Sequence, residues 1–179
     1  MYMLVRVNGF SIEPGETSAA DIRRRRECMK VNTRLFGEIE VAEDRIITFT
    51  QGLMGFEEYT RYTLIYNSEK KGRIMWLQCL DEPQLAFTVI DPMKVVAEYN
   101  PVVDDEWLAP LGEVESEADY FLLSVVTVPS DLTKMTANLK APIVINMNTK
   151  KACQLIVNND AYEVRYNVYD YIQKMKEEN

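Results

Sequence analysis

The stretch from Asn138 to Val157, with the sequence NLKAPIVINMNTKKACQLIV, decides the fold of this chain. Apolar residues at 143, 145 and 147 alternate with Val144 and Asn146, a period of two that predicts a strand. Residues 148–151 are polar and typical of a tight turn, because asparagine tolerates left-handed backbone. Pro142 stands at the first residue of the predicted strand, where its missing N–H removes little pairing.

A second predicted strand, Ala152–Val157, completes this hairpin. It is apolar on both faces, with Leu155 and Val157 on one face and Ile156 on the other. A strand that is apolar on both faces is usually central and covered. The sequence therefore predicts a buried hairpin whose side chains serve packing.

Further short strands are predicted on the N-terminal side of this hairpin. They are Val31–Phe36, Glu38–Val41, Arg45–Phe49, Tyr62–Tyr66, Ile74–Leu80, Leu85–Ile90, Val95–Tyr99 and Phe121–Val128. Helix is predicted only for a short turn after Asp104 and for residues 168–175. Many short strands with few helices indicate an all-β fold, a small antiparallel β-barrel-like or sandwich domain with one or two short helices.

The two ends of the chain differ from its body. A length of 179 residues is typical of one domain. Residues 1–28 are predicted to be a flexible N-terminal extension without a signal peptide, residues 29–165 the β-barrel-like domain, and residues 166–179 a helical C-terminal tail. The basic run Arg23–Arg26 in the extension is interpreted as a solvated surface.

Composition excludes several classes of chemistry. The chain has no histidine, which removes imidazole as a base or a metal ligand. Its three cysteines, Cys28, Cys79 and Cys153, have unrelated spacings that favour neither a disulfide framework nor a zinc site. We therefore expect a protein of the reducing cytoplasm without a cofactor. No apolar run is long enough to cross a bilayer, so no membrane partner is expected.

Charge argues against direct nucleic-acid binding. The chain carries a net charge of −8, and residues 1–28, with five basic and four acidic residues, contribute +1, which leaves −9 for the rest. Such a body repels phosphate backbones. An RNA-binding barrel would need a basic face with stacking aromatics, for which Arg73 and Trp76 are the only hint. A small-ligand-binding barrel would need a cavity, whereas the apolar strands predict a filled interior.

A glycine-rich bend follows one predicted strand. Phe49 and Phe56 flank it, and Gly52 and Gly55 bracket Leu53. The spacing lacks the lysine and the hydroxyl residue of a phosphate-binding loop, so we interpret it as a sharp turn anchored in the core. Paired carboxylates elsewhere lie beside turn residues and are typical of solvated faces. The residues alone therefore indicate a protein-binding module and no enzyme.

Three stretches together resemble one known family. They are residues 31–37 (VNTRLFG), residues 47–56 (ITFTQGLMGF) and residues 138–146 (NLKAPIVIN) with Gln154 downstream. In order and separation they resemble the flagellar assembly factor FliW family, from about Met29 to about Tyr162. The chain departs from the family at Thr50 and Met54, where prolines often stand.

The resemblance implies a regulator that exchanges partners. Family members bind flagellin in the cytoplasm. They also bind the carbon storage regulator, a small β protein that represses translation of flagellin mRNA. Release of flagellin by export frees the factor to antagonise this regulator. The implied fold is a β-barrel-like domain, in agreement with the strand pattern.

Candidate site residues fall into two sets. The motif residues are interpreted as shaping or filling the barrel: Phe49, Gly52, Gly55, Phe56, Pro142 and Asn146. Partner binding is assigned to an apolar stretch beside acidic turns and to an acidic cluster expected to repel RNA: Tyr99, Asn100, Val102, Val103, Trp107, Glu113, Glu115, Glu117 and Asp119. The alternative, that Val102, Val103 and Trp107 cover the core, stays open.

Overall fold

The computed structural model describes residues 28–66 and 74–177, and its main element is a closed β-barrel. In chain order the strands are β1 (Cys28–Thr33), β2 (Gly37–Ala42), β3 (Ile47–Phe49), β4 (Arg61–Tyr66), β5 (Met75–Cys79), β6 (Ala86–Ile90), β7 (Tyr120–Thr127), β8 (Thr136–Ala137), β9 (Ile143–Asn146), β10 (Lys151–Gln154) and β11 (Tyr166–Asn167). The helices are α1 (Pro92–Val95), α2 (Asp105–Leu108) and α3 (Tyr169–Glu177). The predicted all-β class is confirmed.

Seven strands close the barrel in the order β3-β4-β5-β6-β7-β9-β10, with β10 returning to β3. Closure depends on β7, which has eight residues and is long enough to pair with β9 near its start and with β6 and β8 near its end. These barrel pairings are antiparallel except that of β10 with β3, where Lys151 faces Thr48 in parallel register. Closure protects the strand edges.

The hairpin predicted from residues 138–157 forms as β9 and β10, with Ala152 opposite Ile145. All four residues of β9 are buried, so both of its faces are covered. The expectation for Ile156 was wrong, because β10 ends at Gln154 and Ile156 is 63% exposed. Alternation between faces holds only while a strand stays paired.

Buried apolar residues form separate clusters inside and outside the barrel. The barrel interior is filled by large apolar side chains that include Tyr62, Leu77 and Leu123. Outside it, α3 packs Ile172 against a second cluster that contains Tyr99. The β1–β2 hairpin covers a third cluster, which consists of Val31, Ile39, Val41, Ile65 and Leu80.

One predicted strand is absent, and another ends earlier than predicted. The predicted strand Val95–Tyr99 does not form because Pro92 begins helix α1, and the Asp91 carboxylate caps it by accepting from the Met93 N–H at 3.0 Å. Proline at the first helical position is pre-organised for a helix. The predicted strand Val31–Phe36 ends at Thr33, because its hydroxyl oxygen accepts from the Phe36 N–H and turns the chain.

The C-terminal part of the described chain forms one short strand and one helix. Pairing there is restricted to β11, and α3 continues beyond the predicted residue 175. The predicted terminal extension before residue 28, the turn at 67–72 and Arg73 lie outside the described residues. Trp76 packs edge-to-face on Phe36, with ring centroids 5.5 Å apart, and is half-buried rather than presented for stacking. Within the described ranges, no helix reaches the length and apolarity needed to cross a bilayer.

The two ends of the barrel differ. At one end, the bend after β3 packs Phe56 edge-to-face on Phe87, with ring centroids 5.1 Å apart. The other end, where β3 begins and β4 ends, opens into a cavity of about 380 Å³ lined partly by Ile47 and Ile145. The expectation of a filled interior is therefore correct for one end of the barrel and wrong for the other.

Candidate protein-binding surface

The segment that follows α1 is fixed to the body by Tyr99. Its ring is 3% exposed and lies 4.5 Å from the ring of Tyr162, centroid to centroid, and its hydroxyl donates to the Leu139 carbonyl oxygen at 2.7 Å. Burial raises the pKa of this phenol, and the neighbouring Tyr162 adds to the effect. Tyr99 was predicted as an exposed anchor, and the structure instead buries it as a support for the residues that follow.

Residues 100–102 lie along residues 158–162 through short polar contacts. The Asn159 side chain accepts from the Val102 N–H at 2.6 Å and donates to the Asn100 carbonyl oxygen at 3.1 Å. The Asn158 N–H donates to the Val102 carbonyl oxygen at 2.8 Å, and the Asn100 N–H donates to the Tyr162 hydroxyl at 2.8 Å. An irregular segment is thereby held with its backbone groups satisfied.

This fixed segment and its neighbours expose three apolar side chains. Val102 is 51% exposed, Trp107 is 56% exposed and Ile156 is 63% exposed. The segments that carry them adjoin: the Asn158 N–H donates to the Val102 carbonyl oxygen, and the Cys153 thiol lies 3.9 Å from the Trp107 carbonyl oxygen. We name Val102, Trp107 and Ile156 the apolar patch. Exposed aromatic and apolar side chains within a polar rim are typical of interaction surfaces.

Val103 belongs to the layer beneath the apolar patch. It is half-buried and packs with Leu108 against a cluster that contains Leu111, Val144 and Leu155. The alternative that these residues cover the core is therefore right for Val103 and wrong for Val102 and Trp107, whose exposure is given above. The patch thus rests on a packed base, which limits the motion of its backbone.

Acidic residues border the apolar patch on the side of α2. Asp104 precedes the helix, and its backbone carbonyl oxygen accepts a hydrogen bond from the Trp107 N–H at 3.0 Å. Its side chain does not cap the helix. Asp105 and Glu106 occupy the first turn, where negative charge suits the partial positive charge of a helix N-terminus. Trp107 is thereby presented from a short helix with an acidic border.

The acidic loop, residues 112–119, follows directly after this region and is attached to the barrel by Asn146. The buried amide of Asn146 donates to the carbonyl oxygens of Leu111, Gly112 and Glu113 at 3.1, 3.3 and 3.2 Å. Its side-chain oxygen accepts from two turn N–H groups after β9. Asn146 was predicted to shape the barrel, and here it also positions the acidic loop.

The four acidic side chains of the loop are not equivalent. Glu113, Glu115 and Glu117 are exposed, whereas Asp119 is half-buried. The Asp119 carboxylate accepts from the N–H groups of Glu115 and Ser116 at 2.9 and 3.1 Å, which closes a capping box. The cluster predicted as one acidic surface is therefore three solvated carboxylates on a turn that the fourth one stabilises.

The glycine bend lies at the closed end of the barrel, apart from the acidic loop. Gly52 and Gly55 have φ angles of +73° and +84°, which favour glycine. Phe49 is 2% exposed and stacks edge-to-face on Tyr62, with centroids 4.9 Å apart. Pro142 is buried directly before β9. Gln154 holds the bend by accepting from the Met54 N–H at 3.1 Å.

The thiols and carboxylates of the described residues do not converge on a metal. No group of three or more potential ligands is found in the part of the chain that the structure describes. Cys79 and Cys153 are buried, and burial raises the pKa of the Cys153 thiol to about 12. Burial also raises the pKa of the Cys79 thiol. Both are therefore weak nucleophiles.

The structure groups some predicted residues and adds others. Val102, Trp107 and the acidic loop lie on adjoining segments, and the glycine bend lies apart from them. Sequence reasoning missed Ile156, which was assigned to a buried strand, and Asn159, whose bracing role has no local signal. Asparagine favours turns, so an asparagine near the end of the predicted apolar strand could have suggested that β10 ends early.

Comparisons with known proteins match the barrel and the segments around it. The family model described as FliW protein matches residues 30–168. A flagellar assembly factor FliW from Lachnospira eligens is 50% identical over 148 residues, which cover 82% of this chain and 98% of that protein. One from Lachnoclostridium phytofermentans is 48% identical over 147 residues, covering 81% and 94%. A crystal structure of the flagellar assembly factor FliW aligns with a TM-score of 0.71 at 33% identity, covering 78% and 96%.

Proposed function

The chain belongs to the FliW family of flagellar assembly factors, and we propose that it couples flagellin export to flagellin synthesis by binding two proteins in turn. It binds flagellin in the cytoplasm. When export removes flagellin, the protein binds the carbon storage regulator and relieves repression of flagellin mRNA. The observation that carries this proposal is the 50% identity to the Lachnospira eligens factor over 98% of that protein.

The protein acts by binding and does not catalyse a reaction. The feature that supports this is the apolar patch, because Trp107 and Ile156 expose large apolar areas on a rigid base. Burying such side chains against a partner is favourable by about 25 cal/mol per Å² of apolar surface before the costs of association. We assign the patch as the anchor for a protein partner, with Val102 and Trp107 at its centre.

The acidic loop contributes by charge rather than by contact area. Three exposed carboxylates, at Glu113, Glu115 and Glu117, stand on a loop that Asn146 fixes to the barrel. A bound protein that carries them beside a basic RNA site raises the electrostatic cost of RNA approach. The loop therefore serves to exclude RNA from the carbon storage regulator without binding RNA itself.

The test uses the flagellin and the carbon storage regulator encoded in the same genome. Each is mixed with the purified full chain and followed by size-exclusion chromatography and isothermal titration calorimetry. We expect a stoichiometric complex with each protein and release of labelled flagellin mRNA from the regulator. Absence of both complexes at concentrations well above 1 μM, about −8 kcal/mol of binding free energy, would overturn the proposal.

A further inference from the structure

The open mouth of the barrel holds a cavity whose described lining residues include none of the apolar patch. Its volume is about 380 Å³, within the range of small-molecule sites in proteins. Five apolar side chains from four different parts of the barrel form its floor: Ile47, Leu64, Phe121, Ile145 and Met147. The cavity therefore offers an apolar site inside a closed sheet.

The opening exists because the pairing of β3 with β4 is only two residue pairs long. Their pairing consists of Ile47 with Tyr62 and Thr48 with Arg61. Beyond Tyr62, β4 continues for four residues along β5, whereas the chain before Ile47 turns away through the 3-10 turn Glu43–Arg45. Residues 63–66 of β4 therefore have no pairing with β3 at this end of the barrel.

Two cationic residues on different turns line this mouth. Arg45, on the 3-10 turn, has a side chain only 25% exposed. Lys150 lies on the β9–β10 turn, where its N–H donates to the Asn146 carbonyl oxygen at 2.9 Å and its carbonyl oxygen accepts from the Thr48 N–H at 2.9 Å. Both residues stand on turns whose backbones are hydrogen-bonded, so the backbone positions from which the two cations extend are fixed beside the opening.

Among the described residues that line the cavity, Asp44 is the one acidic residue; its side chain is 73% exposed and lies 3.8 Å from the Arg45 guanidinium, Oδ1 to Nε. These described lining residues carry two positive charges and one negative charge, on a protein whose net charge is −8.

We propose that this cavity binds a small amphipathic carboxylate, with its apolar body on the barrel floor and its carboxylate between Arg45 and Lys150. The apolar floor selects a hydrocarbon or aromatic body, because it offers few polar partners. The two cations select a negative head group, since charge-assisted hydrogen bonds are the strong ones. The head group of a cationic amphiphile of equal length would be repelled by the positive charges of Arg45 and Lys150. The ligand class is thus set by charge as well as by shape.

The test compares three matched probes on the full chain: octanoate, 1-octanol and octylammonium. Their binding is followed by two-dimensional NMR of ¹⁵N-labelled protein. We expect octanoate to shift the amide signals of Ile47, Leu64 and Ile145 saturably, with 1-octanol weaker and octylammonium weaker by about tenfold or more. Equal affinities for octanoate and octylammonium, or shifts that avoid these amides, would overturn the proposal.

Variants separate the charged and apolar parts of the site. Lys150→Gln keeps a side chain of similar reach and should weaken octanoate by about tenfold while leaving 1-octanol within about twofold. Lys30→Gln, on β1 beside Glu38, is the matched control and should change neither. Met147→Trp should fill the floor and weaken both probes. If Met147→Trp lowers the melting temperature, Arg45→Gln is used in its place and should weaken the binding of octanoate alone. Unchanged octanoate binding in both Lys150→Gln and Arg45→Gln would refute the site.

Discussion

The side-chain amide of Asn146 donates to the backbone carbonyl oxygen of Glu113 at 3.2 Å, joining the end of a barrel strand to the acidic loop. The same buried amide reaches the carbonyl oxygens of Leu111 and Gly112. One side chain therefore satisfies three acceptors of a segment that pairs with no strand. The position of three exposed carboxylates relative to the barrel depends on this asparagine.

Replacing Asn146 by alanine should lower the free energy of unfolding by about 3 kcal/mol, because buried acceptors lose their donor. The loop should also become a site of rapid proteolysis. Urea denaturation and limited proteolysis measure the two effects. Asn148→Ala, two residues on and exposed, is the control and should change unfolding by about 0.5 kcal/mol or less. Equal effects of the two variants would contradict this role of Asn146.

The two glycines of the bend should differ in their tolerance of a Cβ atom. A Cβ on Gly52 would lie 2.7 Å from the Glu57 Cα and carbonyl oxygen, whereas one on Gly55 meets nothing within 4 Å. Gly52→Ala should therefore cost about 3 kcal/mol or more, from the clash added to the positive φ. Gly55→Ala should cost about 1–2 kcal/mol from its φ alone.

Urea denaturation of both glycine variants checks this order. Gly37→Ala is the matched control for Gly55, since its φ is +66° and its Cβ would also meet open space. The valine variants of Gly52 and Gly55 should follow the same ranking at higher cost, because a β-branched side chain is less tolerant of positive φ. A Gly52 variant as stable as the Gly55 variant would show that the bend relaxes.

The sequence predicts those parts of the fold whose signals are local. The hairpin of β9 and β10 follows from alternation around a polar turn, and β5 and β6 likewise pair across a short connection. Barrel closure has no local signal, because it depends on Phe121 meeting Ile145 across a long connection. Burial could be inferred for Tyr62 but not for Tyr99, whose partner Leu139 is distant in sequence.

The candidate surface was predicted only in part for the same reason. Val102 and Trp107 stand beside prolines and acids, a local pattern that indicates exposure. Ile156 lies in an apolar run, and its exposure depends on where β10 stops pairing. The cavity depends on where β3 leaves β4, a divergence that strand periodicity does not encode.

The Asp81 carboxylate should give a measurable acid dependence of stability. Burial opposes its charge, but the N–H groups of Arg61 and Thr60 at 2.9 Å and the Arg61 guanidinium at 2.7 Å outweigh burial and lower the pKa of Asp81. A carboxylate with a lowered folded pKa stabilises the protein above its unfolded pKa. That stability is lost as pH falls through the lower, folded value.

Asp81→Asn should therefore destabilise the protein by about 1–3 kcal/mol at pH 7, with a difference from the parent that shrinks below about pH 4. Urea denaturation at several pH values measures it. Asp160→Asn, at a fully exposed position, is the control and should give a small difference across the range. A destabilisation by Asp81→Asn that is independent of pH would show that packing, not charge, carries the effect.

The apolar patch should contribute to partner binding without contributing to folding. Trp107→Ala and Ile156→Ser remove exposed area and should leave the melting temperature within a few degrees. If the patch anchors a partner, affinity should fall by about thirtyfold or more for Trp107→Ala, or 2 kcal/mol. Calorimetry with flagellin and with the carbon storage regulator measures it. Leu132→Ser, at another exposed apolar position, is the control, and equal losses from it would remove the patch from the interface.

The acidic loop should act on RNA through charge, and the three exposed carboxylates allow this to be tested without disturbing the turn. Changing Glu113, Glu115 and Glu117 together to glutamine removes three charges and retains Asp119, whose carboxylate holds the N–H groups of Glu115 and Ser116. If the loop repels RNA from the bound regulator, the triple variant should displace RNA less well than the parent. Because exposed charges are screened over about 8 Å at physiological salt, the deficit should shrink as salt rises.

A charge-matched control separates repulsion by this loop from repulsion by the whole acidic body. Changing Glu38, Glu40 and Glu43 to glutamine removes the same charge from exposed positions on or beside the β1–β2 hairpin. RNA displacement from the regulator is measured for parent and both variants at low and high salt, with affinity for the regulator measured in parallel. A local mechanism predicts a low-salt deficit for the loop variant alone, with its affinity for the regulator nearly unchanged. Equal deficits would assign repulsion to the net charge, and no deficit in either variant would leave direct occlusion of the RNA site as the mechanism.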